Sequence, residues 1–184
     1  MKMSMEDKLT GVWNKATIEQ NCTAYLREKA DEQCALIVMD IDNFKGVNDT
    51  LGHHVGDEIL TLVGESIRKV FRESDIYGRI GGDEFAILMK NVISRELVEM
   101  KMGTLVSMIE QGAFENNHMT ITCSYGAILK DHDETMEYVP LFTMADNLLY
   151  CSKESGKNQG YMLSITEYEE LGATEVITRQ RLQA

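Results

Sequence analysis

Two neighbouring carboxylates, Asp83 and Glu84, follow a glycine pair in the stretch Arg79-Ile80-Gly81-Gly82-Asp83-Glu84-Phe85-Ala86-Ile87-Leu88. β-like runs flank the glycines, Ile76 to Ile80 and Phe85 to Met89, which is the pattern of a tight hairpin. Glycine at the tip permits positive φ and, lacking a Cβ, lets another group approach the backbone. Adjacent side chains on an extended chain point to opposite faces, so Asp83 and Glu84 are expected to do different work. A bare Gly-Gly-Asp-Glu also fits an ordinary acidic hairpin tip. Two more carboxylates, Asp40 and Asp42, stand where the apolar run beginning at Cys34 gives out. A carboxylate at the end of a buried strand is held rigidly and partly desolvated, which suits a hard divalent cation.

The elements that must hold these groups follow from periodicity. Cys34 to Ile41 is almost continuously apolar, as expected of a central strand covered on both faces. Thr17-Ile18-Glu19-Gln20 reads as a capping box that opens a helix to about Lys29. Trp13, in the entry segment before it, is expected to be a packing anchor. A second helix, from His54 to about Phe71, carries Ile59, Leu60, Val63, Ile67, Val70 and Phe71 at helical spacing. A third, within Asn91 to Gly112, presents Val98, Met102, Leu105 and Ile109. His118 to Ala127 alternates apolar and polar residues as a half-buried strand does. Pro140 and Gly156 bracket a further helix with Leu141, Met144, Ala145, Leu148 and Leu149 on its apolar face. Gln159 to Ile165 is the expected closing strand. This order predicts an α/β (α+β) sheet covered by helices. The domain is expected to occupy residues 1–165. Residues 166–184 would form a C-terminal tail, either a short helix capped at Thr166-x-x-Glu169 or a linker to a further domain.

Composition bounds the partners. The 184 residues carry a formal charge of −12, with 43% hydrophobic and 26% charged residues, the balance of one globular domain. Such a charge argues against binding a nucleic-acid backbone. No apolar run approaches the roughly 20 residues of a membrane helix, and the polar start is not that of a signal peptide. The four cysteines lack C-x-x-C spacing, as expected of buried free thiols in a reducing cytoplasm. His53-His54 has no third ligand, and Asp131-His132-Asp133-Glu134 reads as a solvated turn.

The hairpin stretch resembles the signature of the GGDEF family, the bacterial diguanylate cyclases, which condense two GTP into cyclic di-GMP. The likeness runs from Asp7 to about Asn158. Asp7-Lys8-Leu9-Thr10-Gly11-Val12-Trp13-Asn14-Lys15 is similar to the family's entry segment, with Lys15 where arginine is usual. The resemblance implies a ferredoxin-like palm with a mostly antiparallel sheet of about five strands, in which the first strand's end lies beside the hairpin tip. It implies Mg²⁺ or Mn²⁺ on Asp40, the main-chain carbonyl of Ile41 and Asp83. Asp83 would be the activating carboxylate and Glu84 a further ligand or proton acceptor. Asp42 would support the ligands from behind or cap the turn.

Lys45-Gly46-Val47-Asn48-Asp49-Thr50-Leu51-Gly52-His53-His54-Val55-Gly56-Asp57 resembles the family's nucleotide segment. Asn48 and Asp57 match the guanine-contacting positions. A carboxylate there accepts from guanine N1–H and its 2-amino group, donors that adenine lacks. The family's mixed-product branch typically has serine at that position. Lys45, backbone N–H groups near Phe44, and the open backbone at Gly82 would meet the nucleotide. Lys153 and Lys157 match the two basic positions on the triphosphate, Lys157 replacing the commoner arginine. Arg72-x-x-Asp75 matches the family's product-inhibition site. A homodimer is implied, because one guanine site per chain requires two chains to face each other. The alternative is a catalytically silent module that binds cyclic di-GMP or GTP and signals through a partner. On either reading, a sensor or output domain outside this chain is a further expected partner.

Overall fold

The chain's central strand, β1 (Cys34–Ile41), is buried along all eight of its residues, because a helical layer lies on each face of it. The computed structural model describes residues 5–172. Residues 173–184, most of the expected tail, lie outside them. In chain order the elements are α1 (Lys15–Glu28), β1, α2 (Phe44–Leu51), α3 (His53–Val70), β2 (Ile76–Arg79), β3 (Glu84–Lys90), α4 (Arg95–Asn117), β4 (Cys123–Lys130), α5 (Tyr138–Glu154), β5 (Gly160–Ser164) and α6 (Ile165–Leu171). One sheet runs in the order β2-β3-β1-β4-β5. Its neighbours are antiparallel except for the parallel pair β4–β5. The expected five-stranded, mostly antiparallel α+β sheet is therefore present.

The pleat sorts β1 between two cores. Ala35, Ile37, Met39 and Ile41 pack with α3 and α4 residues such as Ile59, Val63, Met102 and Leu105. Cys34, Leu36 and Val38 pack with Ile18 and Cys22 of α1 and with Leu141 and Leu148 of α5. Each large apolar side chain withdrawn from water contributes about 1.5–3 kcal/mol. Several of them together outweigh the cost of ending the strand on a carboxylate. By the same alternation Asp40 faces the α5 layer.

Local signals place most helix ends, with instructive differences. Thr17 does not cap α1. Asn14 does, its side chain accepting the Thr17 backbone N–H at 3.0 Å, so the helix begins one turn earlier than the capping-box pattern predicts. α4 continues through Gly112 to Asn117. Gly112 is a contact rather than a stop, since a Cβ there would come within 2.7 Å of Leu62 on α3. β4 consequently starts at Cys123 rather than His118, which instead closes α4 at φ 52°. α6 is capped by a reciprocal Ser164–Glu167 box, not by Thr166, and it buries Ile165 and Tyr168. His53 and His54 open α3, both exposed. All four cysteines are buried and none is in a disulfide. Among the described residues no helix is long and apolar enough to cross a membrane.

α5 reaches the sheet at Gly126 of β4. A Cβ at that position would stand 2.1 Å from the Ala145 carbonyl oxygen and 2.2 Å from the Leu149 nitrogen. The absence of a side chain therefore sets how closely the backbone of α5 can lie on β4.

Candidate active site

The end of β1 and the tip of the β2–β3 hairpin lie side by side. Asp40 stands directly opposite Glu84 in the β1–β3 register, and the Ile41 N–H donates to the Asp83 carbonyl at 3.3 Å. Three carboxylates from two distant stretches of sequence thus share one end of the sheet. Burial pushes the Asp40 carboxyl up to about 6; the Lys153 hydrogen bond and charge oppose this, and the carboxylates of Asp83 and Glu84 add to it. Lys153, in the last turn of α5, donates from Nζ to Asp40 Oδ2 at 2.8 Å.

Asp42 has a supporting role. Its Oδ2 accepts from Thr122 Oγ1 at 2.7 Å and from the Asn158 N–H at 3.0 Å, and its Oδ1 accepts from Ser124 Oγ at 2.7 Å. One buried carboxylate thus ties β1's end to β4 and to the turn after α5. Asp42→Ala would strand these donors. The expected loss is about 2 kcal/mol, read as a lower midpoint in urea unfolding; an unchanged midpoint would refute the tie.

Arg79 has no role in the sequence reading beyond its place in the hairpin, yet it braces the tip. Its Nε donates to the carbonyls of Gly81 and Gly82 at 3.1 Å each, and its Nη2 donates to Gly82 at 2.7 Å. Its Nη1 reaches Asp7 Oδ1 at 3.3 Å. Burial raises the Asp7 carboxyl, but the Thr10 hydrogen bonds and the Arg79 charge outweigh that and hold it below its ordinary value. Trp13 completes the brace, donating its main-chain N–H to the Tyr77 carbonyl while its own carbonyl accepts from the Arg79 main-chain N–H. No periodicity or motif spacing could have linked Arg79 to Asp7. Only the folded hairpin brings them together.

The remaining expected residues form separate groups. Phe44 and Lys45 begin α2, whose cap Asn43 is left-handed at φ 55° and makes no side-chain cap bond. The first N–H groups of α2 therefore lack a side-chain cap and can meet an anion. Lys157 donates to Asn43 Oδ1 at 2.7 Å, which brings the second basic residue to that same helix start. Asn48 packs against Gly56, where a Cβ would meet its Oδ1 at 1.9 Å, so it lies beside the first turn of α3 that carries Asp57. Asp57 lines a cleft of about 800 Å³ with Leu9, Thr61, Leu62 and Glu65. Gly82 has no atom within 4 Å of where a Cβ would lie.

Arg72 and Asp75 sit at the other end of β2. Asp75 is buried and accepts from the backbone N–H groups of Arg72 at 2.9 Å and Lys90 at 3.0 Å. It closes the turn between α3 and β2, and the Arg72 side chain is exposed.

The donor set suits a hard cation. Asp40, Asp83 and the Ile41 carbonyl offer only oxygen, the donor type that hard divalent cations take. Among the described residues no ready-made group of three or more His, Cys, Asp or Glu side chains could hold a metal. Mg²⁺ is commonly held by one or two carboxylates and completes its shell with waters and substrate phosphate.

The family described as "Diguanylate cyclase, GGDEF domain" matches residues 4–159. The chain belongs to the GGDEF family. This GGDEF domain is 38% identical over 177 residues to the diguanylate cyclase DgcS of Shewanella oneidensis, covering 90% of this chain and 56% of that protein. It is 35% identical over 159 residues to the uncharacterized protein YhcK of Bacillus subtilis, covering 83% of this chain and 44% of that protein. The domain thus spans about half the length of these relatives. The GGDEF domain of Caulobacter crescentus DgcB, solved with c-di-GMP, superimposes with a TM-score of 0.78 at 25% identity, covering 88% of this chain and 97% of that one.

Proposed function

We propose that this GGDEF domain is a diguanylate cyclase that condenses two GTP into cyclic di-GMP with release of two pyrophosphates. The observation that carries the reading is the juxtaposition of Asp40 with the hairpin tip bearing Asp83 and Glu84. Asp40, the Ile41 carbonyl and Asp83 would hold Mg²⁺ or Mn²⁺. The bound metal would lower the pKa of the attacking 3′-hydroxyl and offset charge developing on the α-phosphate and leaving group.

The chain's own groups do the rest. Lys153, Lys157 and Lys45 meet the triphosphate, with the N–H groups at Phe44 behind them. Asn48 and Asp57 hold guanine, and Gly82 lets the nucleotide lie close to the backbone. Asp83 is the activating carboxylate; Glu84 is a further ligand or the proton acceptor. Two chains face each other across a two-fold axis, because the reacting hydroxyl and α-phosphate belong to different GTP molecules. Arg72 and Asp75 form the product-inhibition site. Four buried cysteines, none in a disulfide, accord with a cytoplasmic setting.

The test is product analysis after incubating concentrated protein with GTP and Mg²⁺, with sedimentation to establish the dimer. Cyclic di-GMP supports the reading. No product at dimeric concentrations would favour the silent binding module, which titration of cyclic di-GMP against the wild type and Arg72→Ala would then examine.

The Arg79 brace adds an expectation. Arg79→Ala should lower product formation roughly tenfold to a hundredfold, as small misplacement of reacting groups does, with GTP affinity changed less than about threefold. An unchanged turnover would remove Arg79 from the account.

A further inference from the structure

We infer that Lys153 is a counter-ion latch on Asp40, an ammonium that competes with a divalent cation for one carboxylate and yields when a triphosphate draws it away. The inference rests on the cyclase reading of this site and adds an order of assembly to it: nucleotide and metal bind cooperatively because the same lysine opposes one and attracts the other.

Three observations carry it. The Lys153 Nζ lies 2.8 Å from Asp40 Oδ2, at the carboxylate the cation would use. Asp40 is closed in while the lysine is not: the side chains are 9% and 34% exposed. The carboxylate is fixed by the strand, whereas the ammonium rides on a four-carbon stem in the last turn of α5 and can move away. Finally, the neighbouring Lys157 is engaged elsewhere, with Asn43 Oδ1 at 2.7 Å. An ammonium and a metal ion cannot both bond the same desolvated oxygen at full strength. Whatever removes one favours the other, and thermodynamic linkage makes the coupling reciprocal. A phosphate group supplies a competing acceptor for the ammonium and further oxygens for the metal.

The experiment is Mn²⁺ binding to the full chain, followed by the loss of the free-ion paramagnetic resonance signal, with and without α,β-methylene-GTP. Neither measurement needs turnover. Without nucleotide, Lys153→Met should bind Mn²⁺ about tenfold more tightly than the wild type. Lys157→Met, which removes an equal charge from a side chain not bonded to Asp40, should change the affinity less than twofold. The nucleotide analogue should tighten Mn²⁺ binding in the wild type and do so much less in Lys153→Met. Lys153→Gln serves as the second neutral variant, and a thermal melt verifies the fold of each. Equal Mn²⁺ affinity in the wild type and both neutral variants overturns the latch. So does an equal gain from Lys157→Met, which would reduce the effect to general charge. Mn²⁺ binding unaffected by Asp40→Asn would remove the metal from Asp40 and overturn the latch together with that part of the cyclase reading. Cyclic di-GMP formation is scored separately, so loss of the latch alone leaves the cyclase standing.

Discussion

Asp83→Ala should abolish cyclic di-GMP synthesis while leaving the protein folded. Removing a group that stabilises transition-state charge costs roughly a hundredfold to a thousandfold, and Asp83 is proposed both to hold the metal and to activate the nucleophile. The fold should tolerate the change. The hydrogen bond from Ile41 reaches the Asp83 main-chain carbonyl rather than its carboxylate, and alanine keeps that carbonyl. The substitution also removes one of the negative charges that push Asp40 up. The thermal midpoint is therefore expected to stay within about 2 °C of the wild type. Product measured from GTP and Mg²⁺ by chromatography decides the matter, and undiminished product would dismiss Asp83 as a participant.

Gly126→Ala should be severely damaging for the addition of a single methyl group. The added Cβ would meet three backbone atoms of α5: the Ala145 oxygen at 2.1 Å, the Leu149 nitrogen at 2.2 Å and the Leu148 carbonyl carbon at 2.7 Å. No side chain can rotate to make room, so the helix itself must move off β4. Overpacking of this kind costs about 3 kcal/mol, the upper part of its usual range. For a domain of this size that lowers the melting temperature by roughly 6–12 °C. α5 also carries Lys153 and leads to Lys157, so the displacement should weaken GTP binding even in molecules that remain folded. A melting temperature equal to the wild type would show that the contact relaxes freely.

The parts of this structure that were legible in the sequence are those set by local repetition. The apolar run of β1 required cover on both faces, and the glycine pair between β-like runs required a hairpin. Pro140 in the first turn of α5 and Gly156 just beyond its end, at φ 111°, sit where those residue types belong. What was not legible depends on contacts between distant stretches. Gly112 looked like a helix stop because its partner, Leu62, lies on another helix. Thr17 offered a plausible cap, but Asn14 already accepts its N–H. The same holds at the site. Asp40, Asp83 and Glu84 could be picked out as candidates, yet the pairing of Lys153 with Asp40, the threefold tie of Asp42 and the Arg79 brace arise only when sheet and helices assemble. Residue type nominated the participants; tertiary packing decided who touches whom.

The ladder between β1 and β3 runs unbroken from Cys34 opposite Lys90 to Asp40 opposite Glu84. Because the pleat has a period of two, the position of the acidic end is counted from anywhere along these strands. Insert one residue between Leu36 and Asp40, and the carboxylate turns away from α5 into the opposite core. An insertion in the turn after Lys130 shifts nothing in that count. Length variation in relatives of this chain should therefore be nearly absent within β1 and β3 and collect in the connections, so that aligned sequences would carry a rigid ruler ending at Asp40 and Glu84.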